Sequence, residues 1–439
     1  EISCSLVGSE MCIRDRYIYL FFVAFSLLMV ACTPEVEDIF GENAANRIEK
    51  RMAADKAVLT GAQNGWLMEY YPASGQIYGG YNVLVLFKED GKVTVSADIT
   101  GVATAQATST YRLKEQAGST LTFDTYNDIF HVFSDPSNAL QIGSDGLGME
   151  GDYEFTVMEA TAEKVVLQGK KTGNTIIMTP LNGSWTEYLN GVIEMDQKIS
   201  RIPQFTYTDG NFKASVVQSY RTLAITYQEN GEDKDITVPY IMTATGLKCM
   251  EPLELNGKSI ETLDFQDVGE DGQLVSGDVI LTPKFPLNYF LMNGDWYFSF
   301  SNMGAMGQFY WNYVKENALD PNEIHLSMAA FTPNASDELI FYWVCKGYNP
   351  GMLLFKVTAI GDDQVKIKFA LNGNDVGILF YQKLGWSYMI YPFSGDDGVT
   401  FTLTVDDIKN PSVITMTDNA EKANVITLQK EEISDPFDK

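Results

Sequence analysis

The chain reads as mainly β: two to three antiparallel β domains, with an N-terminal helix and short linking helices. Twelve Asn-Gly or Asp-Gly pairs punctuate it between Asn64 and Asp397. These residues tolerate positive φ, and flanked by β-rich runs they are the strongest short-range hairpin signal. From Gly65 onward the apolar pattern has period two. The cleanest case is VLVLFKEDGKVTVSAD, where Val83, Val85 and Phe87 share one face. At 439 residues the chain is also too long for one compact core.

The opening EISCSLVGSEMCIRDR (residues 1–16) resembles translated sequencing-adapter sequence and is read as foreign to the protein. A translation start at Met11 is the other reading. Tyr17 to Ala31 is uncharged and rich in Phe, Leu and Val. It suits the apolar region of a signal peptide and is short for a membrane span. The stretch ends in Met29-Val30-Ala31-Cys32, which resembles the lipobox of bacterial lipoproteins. That resemblance implies cleavage before Cys32, a lipid on its thiol and attachment to a membrane there. Residues 32–63 are then the anchor, an acidic tether (Pro34, Glu35, Glu37, Asp38) and a helix. The helix shows in Ala45, Ile48, Met52 and Leu59, with Gly61 as its stop. Acidic residues directly after the cysteine resemble the surface-display signal of Bacteroidetes lipoproteins; a solvated linker is the plainer reading.

Residues 64–183 hold about eight strands, enough to close into a small lipocalin-like barrel, with a sandwich as the alternative. Residues 184–203 form a linking helix: Ser184 and Glu187 fit a capping box, and Tyr188, Val192 and Met195 make its apolar face. A second β segment covers 204–286. It ends in VILTP (279–283), echoing IIMTP (176–180) and hinting at a duplicated unit. A C-terminal β domain covers 287–431 and includes a short helix in FYWNYVKENAL. Residues 432–439 are an acidic tail.

The formal net charge is −27, which opposes phosphate backbones and makes nucleic acid a poor partner. Five cysteines shrink to two, Cys249 and Cys345, once the leader and Cys32 are set aside. Two are no disulfide scaffold. Cys345 lies on the apolar face of a strand with Leu339, Phe341 and Trp343, which favours a buried thiol over a single bridge to Cys249. With only two histidines, and no His-Glu-x-x-His or Cys-x-x-Cys, a zinc site lacks material. No nucleophile elbow or phosphate loop appears, so no cofactor, metal or catalytic residue is assigned and the chain is read as not an enzyme. His131, beside Asp128 and Asp135, could be a carboxylate-oriented base, but a structural histidine is preferred. Carboxylate-based hydrolysis is a remote alternative, because abundant acids are no signal of a pair facing across a sugar.

Aromatics are the remaining lead. EYYPASGQIYGGYN brings Tyr78 and Tyr81 together around small residues, and GQFYWNYVKEN clusters Tyr310, Trp311 and Tyr313. Flat rings with a polar edge suit sugars or peptides; core packing also favours them. These five are the candidate ligand-binding residues.

In combination, NGW…EYYP…YGGYN, LTFDTYNDIFHVFSDPS and GDYEF resemble a family of Bacteroidetes lipoproteins classed only as a domain of unknown function. The resemblance implies an outer-membrane lipoprotein, on the cell surface or the periplasmic face, often near SusC/SusD-like uptake components and a zinc metallopeptidase. It carries over no catalytic residue. Together these readings favour a non-catalytic glycan- or peptide-binding accessory in nutrient acquisition, with a structural or assembly lipoprotein that binds a membrane protein as the alternative.

Overall fold

The computed structural model describes residues 44–435 apart from 117, 145, 270, 335, 337 and 396. The signal-like stretch, Cys32 and the acidic tether lie outside the described residues. The fold is mainly β, in three closed antiparallel barrels of eight strands each.

Helix α1 (Ala44–Gly61) leads in, burying Leu59 in the first barrel, and the Trp66 indole donates to the Leu59 carbonyl at 2.9 Å. The barrel runs β1 (Trp66–Tyr70), β2 (Tyr81–Phe87), β3 (Lys92–Ala97), β4 (Ala107–Glu115), β5 (Ser119–Phe123), β6 (Glu154–Ala160), β7 (Val165–Gly169) and β8 (Thr175–Pro180). It closes where β8 pairs with β1, Pro180 opposite Trp66. The β2–β3 hairpin turns through Asp90-Gly91, with Gly91 at φ 82° and Asp90 Oδ1 accepting from the Lys92 amide. Val83, Val85 and Phe87 face inward and are buried. The lipocalin comparison extends only to strand number and closure. The 124–153 connection sends Phe130 and Phe133 inside, where Phe130 stacks on Phe123 at 3.8 Å between centroids, so the interior is packed rather than a calyx.

Helix α2 (Trp185–Ile199) links to the second barrel, with Ser184 Oγ accepting from the Glu187 amide as its N-cap. This barrel is a meander of β9 (Gln204–Asp209), β10 (Phe212–Ser219), β11 (Thr222–Glu229), β12 (Glu232–Met242), β13 (Gly246–Leu255), β14 (Lys258–Gln266), β15 (Gln273–Ser276) and β16 (Val279–Lys284). Asn230-Gly231 and Asn256-Gly257 both have positive φ at both residues, the type I′ geometry whose twist matches a right-twisted hairpin. The IIMTP and VILTP echoes fall on β8 and β16, each the last strand of its barrel and each paired with the first.

After Phe285-Pro286 the third barrel begins with α3 (Leu287–Leu291). It comprises β17 (Trp296–Tyr297), β18 (Leu326–Pro333), β19 (Glu338–Cys345), β20 (Gly351–Ile360), β21 (Gln364–Gly373), β22 (Val399–Val405), β23 (Val413–Asp418) and β24 (Val425–Gln429). Helix α4 (Ala305–Val314) is inserted after β17, and α5 (Asp375–Lys383) and α6 (Trp386–Met389) after β21. They pack Phe380 and Trp386 against Trp343 of β19, and Trp311 against Trp386. Cys249 and Cys345 are free and buried in separate barrels. Burial pushes their thiols up, to about 11 and about 12.

Candidate functional site

Helix α4 is two-faced. Gly307, Trp311 and Val314 are buried, Gly307 packing against Met303 and the two larger side chains joining the barrel core. The other face carries Phe309, 67% exposed, Tyr310, half-buried, and Tyr313, 42% exposed. Beside it the segment after Gly385 alternates the same way. Trp386, Met389 and Phe393 go into the core, while Tyr388 and Tyr391 stay about half exposed. Gly385, at φ 76°, sets the entry to that turn.

The two elements meet as ring pairs. Tyr310 and Tyr391 have centroids 4.6 Å apart, as do Tyr313 and Tyr388, and Phe309 stands edge-on to Tyr310 at 5.3 Å. Five rings thus form one solvent-facing cluster. The Tyr310 phenol is raised above its ordinary value by burial and then by Tyr391, and the Tyr313 phenol by Tyr388. Both of these raised phenols are neutral hydrogen-bonding groups at physiological pH. An aromatic shelf with phenolic edges offers stacking faces and hydrogen-bond donors.

The sequence candidates divide here. Tyr310 and Tyr313 lie on this shelf. Trp311 does not: it points the other way along the helix and is 1% exposed, so its ring is core. Tyr388 and Tyr391, missed in the sequence, carry two of the cluster's five rings. Their signal was the spacing in WSYMIYPF, two tyrosines three apart between residues that the core claims.

Tyr78 and Tyr81 are corrected in the same way, for both are buried where the first two barrels meet. Tyr81 lies under the Arg221 guanidinium at 4.3 Å, and Tyr78 stands edge-on to Tyr220 at 5.3 Å. Gly79 is there because the second barrel's backbone comes too close for a side chain, and Gly80 because the Tyr71 ring does. A Cβ on Gly79 would sit 2.0 Å from the Arg221 carbonyl oxygen, and one on Gly80 2.6 Å from the Tyr71 ring. The Gly80 amide donates to the Tyr240 carbonyl at 2.9 Å. Asn82 donates to Asp98 and to the Met242 carbonyl and accepts from the Tyr188 hydroxyl. Arg221 is buried, donating to Asp98 at 2.8 Å and Asp196 at 2.9 Å. Burial alone would lower its pKa; the two carboxylates more than reverse that and raise it. The YGGYN motif is therefore a docking seam between barrels.

His131 accepts the Asn127 amide at Nδ1, 3.0 Å, and lies between the rings of Tyr126 and Tyr153. Burial lowers its pKa, which makes it a neutral structural histidine. Among the described residues no group of three or more His, Cys, Asp or Glu is placed to hold a metal ion. Among them, too, no helix is long and apolar enough to cross a membrane.

Packed barrels docked through a buried polar seam, with an aromatic shelf on the last of them, define an array of small β-barrels. The chain belongs to the family described as "Domain of unknown function (DUF4302)", whose model matches residues 36–267, more than half of its length. The match spans the first barrel, α2 and most of the second barrel. No curated protein matches the chain. Among solved structures it is similar to the DNA polymerase III β subunit of Thermotoga maritima, at 11% identity and a TM-score of 0.13, covering 88% of this chain and 97% of that one. It is also similar to the DNA polymerase sliding clamp of Caulobacter crescentus, at 8% identity and a TM-score of 0.14 with the same coverage. Scores this low carry no conclusion about fold or function.

Proposed function

We propose that this protein is a lipid-anchored, non-catalytic capture protein of the outer membrane, which holds glycan on the aromatic shelf of its third barrel. The observation that carries the reading is the cluster of Phe309, Tyr310, Tyr313, Tyr388 and Tyr391, which leaves large rings in water where a core would hide them. Contiguous exposed apolar surface marks an interaction site, and sugar faces stack on such rings while phenols reach their hydroxyls. Glycan fits better than peptide. Extended peptides usually gain affinity by adding a strand to a sheet edge, and closed barrels have no such edge. Anchorage through Cys32, display on the outer membrane and work beside SusC/SusD-like components rest on the lipobox and the family resemblance.

A neutral-polysaccharide panel, run against the wild type and the double variant Tyr388→Ala/Tyr391→Ala, tests the binding. Retention by the wild type and its loss in the folded variant is the expected result. Equal retention by both would remove the shelf as the site. Metabolic labelling with a fatty acid, lost in Cys32→Ala, tests the anchor separately.

A further inference from the structure

A second recess lies away from the shelf, at the seam between the second and third barrels. It is an open cleft of about 750 Å³, within the range of small-ligand sites and at a domain junction, where such sites concentrate. One wall comes from the end of α2 and the β14–β15 connection. The other comes from α3 and the 406–412 loop of the third barrel. Phe265, Phe285 and Tyr289 line it with rings that are only partly covered.

Its charge is unlike that of the molecule. In a chain of net charge −27, three cations line this one recess: Lys198, Arg201 and Lys409. Lys198 is engaged by Asp267 at 3.4 Å and Lys409 by Asp271 at 2.5 Å. Arg201 is different. It is exposed at the cleft, and among the described residues its guanidinium makes no hydrogen bond or ion pair. The helix end beside it does not occupy it, because Gln218 Nε2 donates to the carbonyls of Ile199 and Ile202 at 3.1 and 3.0 Å. A planar fork with nothing to hold, beside aromatic faces, is suited to a carboxylate on a ring-shaped ligand.

We propose that this cleft binds a uronic-acid-bearing oligosaccharide, its carboxylate on Arg201 and its ring faces on Phe285 and Tyr289. The site is separate from the shelf, and the inference does not need the shelf to bind anything. An acidic peptide would satisfy Arg201 but gives the rings no flat saccharide face to cover, and the barrels offer it no strand edge.

The test is titration calorimetry of the purified protein with trigalacturonate, maltotriose and triglutamate as probes. Trigalacturonate should bind, with maltotriose and triglutamate each at least about ten-fold weaker. Arg201→Ala should lose about ten-fold or more and Arg201→Lys less, because lysine keeps the charge without the fork. Added salt should weaken the wild-type binding. Arg201 is exposed, so circular dichroism should show both variants folded. Equal binding of maltotriose would overturn the acidic assignment, and triglutamate binding as tightly as trigalacturonate would overturn the saccharide. No heat up to about 10 mM trigalacturonate would overturn the site altogether. If binding survives Arg201→Ala but is lost in Tyr388→Ala/Tyr391→Ala, the shelf is the only saccharide site: this inference fails and the proposed function stands. Binding lost at Arg201 with the shelf inert would leave the cleft and remove the shelf.

Discussion

Arg221 shows how much one side chain can hold. Its guanidinium is buried, covers the Tyr81 ring, donates to the Gly80 carbonyl, and meets Asp98 and Asp196. Asp98 is fully buried, so removing the arginine leaves a carboxylate in low dielectric with only Asn82 beside it. Arg221→Ala should cost roughly 3–5 kcal/mol, the usual range for breaking a buried pair from one side. A urea titration measures it, and a change below about 1 kcal/mol would mean that water already reaches the seam. The two buried thiols make a second residue-scale case. Raised pKa and burial keep Cys249 and Cys345 from being thiolates at neutral pH. Maleimide followed by peptide mass spectrometry should modify neither in buffer and both in denaturant. His131 adds a pH dependence whose sign follows from its lowered pKa. The unfolded chain protonates first as pH falls below the ordinary 6.5, so the histidine's contribution is present above that value and lost as pH drops toward the folded pKa. Between pH 7.5 and 5, wild type should lose more stability than His131→Gln, whose side chain does not titrate; equal losses would place the pH effect elsewhere.

Elements were the most legible scale, and the reason is local. A hairpin is written in its own turn, so Asp90-Gly91, Asn230-Gly231 and Asn256-Gly257 could be read without knowing what the strands pack on. The capping box at Ser184 is equally local, and so is the period-two face of Val83, Val85 and Phe87. What escaped reading was set by partners far along the chain. Trp311 looked like Tyr310 and Tyr313 because its burial depends on Trp386, 75 residues further on. YGGYN looked like a binding loop because Arg221, 141 residues beyond Gly80, could not be seen to land on it. Glycine substitution separates local from distant causes here. Gly79 and Gly101 have nearly the same φ, 63° and 65°, but a Cβ on Gly101 would meet nothing within 4 Å while one on Gly79 strikes the Arg221 backbone. Gly101→Ala should cost only left-handed strain, about 1–2 kcal/mol. Gly79→Ala should cost clearly more in the same denaturation assay, and equal costs would mean that the seam adjusts without penalty.

The three barrels are not equally joined, and that sets how the whole molecule should unfold. The first two share a main-chain bond from Gly80 to Tyr240, the buried arginine with its two carboxylates, and the satisfied Asn82. Disrupting either barrel strands those groups in the other, so the pair should melt as one. The third barrel is joined differently. The Leu287 and Asn288 amides both turn to the Asp362 carbonyl, but α3 belongs to the third barrel's own core, so those bonds lie within it. What crosses the seam includes Lys284–Asp362 at 2.6 Å and Lys409–Asp271 at 2.5 Å, each with side chains a third to a half exposed. Exposed pairs of this kind are worth at most about 1 kcal/mol each, too little to couple two cores. Scanning calorimetry should therefore resolve two transitions, one for the joined pair and one for the third barrel. Arg221→Ala should lower the first and leave the second in place. A single transition that moves as a whole with Arg221→Ala would show that the cleft seam transmits folding energy. The cleft would then be a rigid notch, and ligand held there could not change the angle between the barrel pair and the barrel that bears the shelf.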